Sequence, residues 1–129
     1  MKFDEFLKRV QSLTGIDSTG ETMRAISATL EVLGQRLVRG EAEDLAAQLP
    51  AELQACLPKE RGPQRFELDE FFNRIGEKEG VGGDLAEKHA RVVLAMMTET
   101  VSSGEIKDVL SELAKEFHGL FKPVSVGAA

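Results

Sequence analysis

Phe3, Phe6, Leu7, Val10 and Leu13 fall at i, i+3, i+4, i+7 and i+10, the stripe of an amphipathic helix whose other face carries Lys8, Arg9 and Gln11. Gly15 is placed to stop this helix, because glycine takes the left-handed C-cap conformation without a Cβ clash, and the apolar Ile16 after it can fold back on the last turn. Ser18 and Glu21 read as a capping box that opens a second helix. Met23, Ile26, Leu30, Leu33 and Leu37 then alternate spacings of three and four, the most regular apolar stripe in the chain, and predict a central buried helix. Gly40 is expected to end it, with Glu41, Glu43 and Asp44 loading the first turn of a short third helix with charge that the helix dipole favours. Pro50 disfavours helical geometry at Leu49, so a break is expected before a short fourth helix that buries Leu53 and Leu57.

The same plan then returns. Leu68, Phe71, Phe72 and Ile75 match Phe3, Phe6, Leu7 and Val10 at a spacing of 65, and Gly80-Val81 matches Gly15-Ile16. Beyond that loop the spacing is 64, and Ala90, Leu94, Met97 and Val101 take the stripe positions of Ile26, Leu30, Leu33 and Leu37, with Asp84 and Glu87 offering a capping arrangement at the start. The stretch 40–57, GEAEDLAAQLPAELQACL, recurs at 104–121 as GEIKDVLSELAKEFHGLF, which keeps Asp44 and Asp108, Leu49 and Leu113, and Glu52 and Glu116 in register. Ala114 stands where Pro50 stood, so the seventh and eighth helices are expected to merge between Glu105 and Leu120.

No segment alternates polar and apolar residues for long enough to require a strand. The predicted class is all-α, a single compact bundle of about eight helices built from two tandem four-helix repeats in a pseudo-two-fold relation. Residues 1–57 form the first repeat, 58–65 (PKERGPQR) a linker, 66–121 the second repeat and 122–129 a flexible tail. A half of this size buries only about 60% of its surface alone, which favours two halves sharing one core.

The segments DEFLKRV, ATLEVLGQRLVRGEAEDLAAQLPAEL and the restart DEFF resemble the bacterial family known as domain of unknown function 2267, over nearly the whole chain. The resemblance implies the same doubled helical plan and a bacterial source, and it brings no catalytic residue to carry over. The second copy departs from the family pattern at Ala114, Lys115 and Phe117.

Sixteen Lys and Arg against 22 Asp and Glu give a net charge of −6, spread over both halves, which argues against nucleic acid or an anionic membrane as partner. Cys56 is the only cysteine, so no internal disulfide can form and a reducing cytoplasm is the expected compartment. The charged start MKFDEFLKRV does not read as a signal peptide, and no apolar run reaches bilayer-spanning length.

Candidate chemistry is sparse. His89 and His118 are preceded three residues earlier by Ala86 and Lys115, so Glu-x-x-His is absent, and each histidine is expected to sit partly exposed on a helix rather than ligate a metal. Cys56 reads as a small hydrophobe, and GVGG at 80–83 as a loop rather than a phosphate cradle. The phenylalanines lie at core spacing, while adjacent Met96 and Met97 should turn at least one side chain toward a less buried face. No catalytic residue, metal site or cofactor is read from the sequence.

The acids that recur, Asp44, Glu52, Asp108 and Glu116, are explained at least cost as helix caps or dipole partners, and otherwise as partner-binding residues. The expected function is a non-enzymatic protein–protein interaction module, its partner another protein or its own copy in a homo-oligomer. The alternative is a small-molecule or lipid-binding bundle with an apolar pocket between the repeats. A DNA-binding helix-turn-helix is disfavoured for want of a basic helix face.

Overall fold

A computed structural model of the chain describes residues 1–58 and 63–124. In order it contains α1 (Phe3–Thr14), α2 (Thr19–Arg36), α3 (Arg39–Gln48), α4 (Ala51–Gln54), α5 (Leu68–Glu79), α6 (Gly83–Thr100), α7 (Ser103–Ser111) and α8 (Lys115–His118), closed by a 3₁₀ turn at Gly119–Phe121. Among the described residues there is no strand, and no helix is long and apolar enough to cross a membrane. The fold is all-α.

The predicted stripes form the core. Phe6, Val10, Ile26, Leu30, Leu33, Leu37, Phe71, Ile75, Ala90, Leu94 and Met97 are buried in one hydrophobic cluster drawn from both halves of the sequence. Helix α5 packs on both α2 and α6, and α1 packs on α6 as well as on α2, so the long helices form a shared centre. Phe71 stacks edge-on against Phe72 and Phe117, with ring centroids 5.7 and 5.4 Å apart, which ties α8 to α5.

Gly15 and Gly80 cap α1 and α5 as expected, with φ of 80° and 82°. The Gly15 amide donates to the Gln11 carbonyl at 2.9 Å, and the Gly80 and Val81 amides both donate to the Gly76 carbonyl. Ser18 accepts from the Glu21 amide at 3.2 Å and caps α2.

Several expectations are corrected. Gly40 does not end α2; Leu37 and Val38 turn extended instead, Leu37 is buried by doing so, and α3 already begins at Arg39. Asp84 does not cap α6, which starts at Gly83 after an extended Gly82, while the Glu87 carboxylate accepts from Arg91 one turn on. Met96 and Met97 are both fully buried, because α6 is enclosed by α1, α2, α5 and the 3₁₀ turn.

Helices α7 and α8 do not merge. Ala114 takes φ −60° and ψ 151°, nearly the −51° and 145° of Pro50, so the break survives without the proline. Burial of Leu113 and Phe117 on opposite sides of it supplies the constraint that the proline ring supplies in the first half. The His118 imidazole spans the break and bonds to the carbonyls of Leu110 and Leu113 at 2.9 and 3.2 Å, as Gln54 bonds to the Leu49 carbonyl at 3.1 Å.

Of the linker assigned to 58–65, residues 59–62 lie outside the described residues. Gln64 beyond them is held by a backbone bond to the Gln35 carbonyl at 2.7 Å and by Arg74, which also stacks 4.0 Å over the Phe66 ring. Within the tail assigned to 122–129, residues 125–129 are likewise outside the description.

Candidate functional site

Helices α3 and α7 lie side by side and antiparallel. The Glu112 carboxylate at the end of α7 accepts the amide of Val38 that begins α3, and Gln48 at the end of α3 accepts the amide of Ser102 that begins α7, both at 2.8 Å. Each helix start is therefore satisfied by the other helix's last turn.

This arrangement brings Glu41 and Glu105 together. Each is four residues before a buried leucine or valine, Leu45 and Val109, so each points along the inward face of its helix rather than outward. Glu105 is only 7% exposed, and one carboxylate oxygen each of Glu41 and Glu105 is buried without a hydrogen-bond partner. Glu41, Asp44 and Glu105 each place an oxygen within 4.8 Å of the other two. Burial, then the hydrogen bond with Glu105 and the negative charges of Glu105, Glu112 and Asp108, push the Glu41 carboxyl up to about 8.

The four acids singled out by sequence are all exposed. None caps a helix: the N-cap positions are Val38, Pro50, Ser102 and Ala114. Glu52 and Glu116 lie in the first turns of α4 and α8, where the dipole reading holds, but Asp44 and Asp108 lie beyond the first turns of α3 and α7. Asp44 joins the α3–α7 seam, whereas Glu116 hydrogen-bonds with Glu67 and, with its charge, raises the Glu67 carboxyl above the usual range. The structure does not bring the four into one cluster.

A second site lies where the α1–α2 turn faces the α5–α6 turn. A pocket of about 360 Å³, within the size range of ligand sites, is lined by Thr14, Gly15, Ile16, Glu21, Arg24, Glu79, Gly80, Val81, Leu85 and His89. Glu79 and His89, 5% and 4% exposed, are hydrogen-bonded to each other through Oε2 and Nδ1, and the other oxygen of Glu79 is buried without a partner. His89 is thus not the partly exposed histidine expected, because α6 turns it inward beside Ala86, Ala90 and Val93.

His118 is half-buried and consumed by the carbonyls of the α7–α8 break. Burial, with the charge of Glu31, pushes the Cys56 thiol up, which leaves it less thiolate than an ordinary cysteine.

Sequence reasoning missed Glu79, His89, Glu41 and Glu105 as site residues. The available signal was position: Glu79 continues the Phe71, Phe72, Ile75 stripe, and Glu41 and Glu105 each stand one turn before a core residue. An acid on an apolar stripe is costly unless partnered, so it marks a site more sharply than an exposed acid that merely recurs.

No curated protein matches the chain. The sequence pattern of the family described as Uncharacterized conserved protein (DUF2267) matches residues 3–120. With that match running from the first residue of α1 into the 3₁₀ turn, the chain belongs to the DUF2267 family.

Proposed function

We propose that the protein is a non-enzymatic binding module whose ligand is a small polar molecule held in the pocket between the α1–α2 and α5–α6 turns. The observation that carries this reading is the buried Glu79–His89 pair lining the pocket, with one Glu79 oxygen unpartnered. A buried acceptor without a partner costs about 1–3 kcal/mol, a cost that a ligand donor removes. The ligand therefore carries an amine or hydroxyl for Glu79, and an acidic group on it can reach Arg24 at the rim.

The test is a panel of amino acids, small amines and polyols screened by thermal shift and calorimetry against the wild type and the Glu79→Leu/His89→Leu double variant. Replacing a buried polar pair by apolar residues of similar volume preserves folds well. A compound that binds the wild type and not the double variant supports the reading. Absence of any binder at millimolar concentration, or equal binding to both proteins, overturns it.

The halves themselves we read as tandem copies in one domain. In support, their helices pair in order at 12 and 12, 18 and 18, 10 and 9, and 4 and 4 residues.

A second reading keeps Asp44, Glu52, Asp108 and Glu116 as separate exposed contacts for a basic protein partner. What favours it is that all four carboxylates are exposed and none forms an ion pair or a helix cap among the described residues. Pull-down from native cell extract with the wild type and with all four changed to Lys tests it; a partner retained equally by both contradicts it.

A further inference from the structure

We propose that Glu41, Asp44 and Glu105 bind one hard divalent cation of the calcium class where α3 and α7 meet. Two observations carry this independently. The first is geometry: one oxygen from each of the three lies within 4.8 Å of the others. Calcium–oxygen distances of about 2.3–2.6 Å put ligands on opposite sides of the ion at most about 5 Å apart, so one ion can touch all three with little rearrangement.

The second is the state of Glu105. It is more than nine-tenths buried, it reaches into the cluster, and its Oε2 has no partner. One carboxylate oxygen of Glu41 is likewise buried without a partner. Two carboxylates held this close together, each with a buried oxygen, are strongly unfavourable when both are charged unless something positive stands between them.

Chemistry narrows the occupant. The cluster offers carboxylate oxygens and neither imidazole nor thiolate, which suits a hard cation and not zinc or copper. Three carboxylates exceed the charge of a divalent ion, and Asp108 and Glu112 add negative potential nearby. Exposed Asp44 opens the site to solvent, so water completes the coordination that calcium requires and the ion can enter without unfolding the seam. Magnesium demands a near-ideal octahedron and gives up its waters reluctantly, so carboxylates fixed on two helices suit calcium better.

A single proton shared by Glu41 and Glu105 is the competing occupant. Calorimetry of the full chain with CaCl₂ separates the two, since calcium gives saturable one-site binding with a dissociation constant of roughly 10⁻⁴–10⁻³ M, the range of weaker calcium modules, and raises Tm by several degrees. Glu105→Gln should weaken binding at least tenfold, Asp44→Asn should weaken it with no effect on folding because it is exposed, and Glu52→Gln should leave it unchanged. Absence of saturable heat and of a Tm shift at about 5 mM CaCl₂, well above that range, overturns the proposal in favour of the proton. So does undiminished binding by both seam variants, and magnesium binding as tight as calcium overturns the assignment of the ion.

Discussion

The Glu112 carboxylate accepts the backbone amide of Val38 at 2.8 Å, and 64 residues away in each direction Gln48 does the same for Ser102. Val38 has no side-chain cap of its own, so Glu112 is what satisfies the first free amide of α3. Glu112→Ala is expected to lower stability by about 1 kcal/mol, the usual cost of losing a capping acceptor. Glu112→Gln, which copies the group used at the reciprocal position, should keep that stability or exceed it by removing a negative charge from the seam. Urea unfolding of the two variants checks the difference.

Stability should fall as pH rises, through Glu41. Its carboxyl titrates at about 8 in the fold, against about 4.3 in an unfolded chain, so between those values the folded state holds a proton that the unfolded state has lost. The contribution is complete below the lower value and lost through the upper one. In chelator, Tm of the wild type should drop between about pH 5 and 8, and Glu41→Gln should flatten that drop; equal pH profiles for the two proteins would falsify the assignment.

Gly76 and Gly104 provide a paired steric test. A Cβ on Gly76 would lie 2.7 Å from the Val81 carbonyl oxygen, a backbone atom fixed by the α5 C-cap, whereas a Cβ on Gly104 meets nothing within 4 Å. Gly76→Ala should destabilise by about 1–3 kcal/mol, as overpacking does. Gly104→Ala should be neutral or stabilising by a few tenths of a kcal/mol through helix propensity. Thermal unfolding of both variants separates the two effects.

The Glu79–His89 pair should be strongly coupled. Each single change to Leu strands a buried polar partner and is expected to cost about 3 kcal/mol. The double change should cost clearly less than the sum, and additive losses in the double-mutant cycle would show that the pair is not a unit.

Much of the fold was legible because the apolar stripes are regular. Leu30, Leu33 and Leu94 lie in the core that their spacing predicts, and Gly15 and Gly80 stop their helices by left-handed backbone. What failed depended on tertiary context. Ala114 holds a proline-like conformation because buried neighbours fix it, and Leu37 ends α2 because extension buries its side chain. No local propensity encodes either.

The sites were less legible. Repetition drew notice to exposed Asp44 and Asp108, while Glu41 and Glu105, in the same stretch, meet only because α3 and α7 run antiparallel. Glu79 and His89 are ten residues apart on different helices, and only the α5–α6 turn brings them together.

The most direct test of ligand binding between the two turns is histidine-detected nitrogen NMR, since the chain has only two imidazoles to observe. A compound from the amine, amino-acid and polyol panel is predicted to move the His89 ring signals and leave those of His118, bonded at the α7–α8 break, in place. Saturation by a bound compound with the His89 signals unmoved would contradict the account.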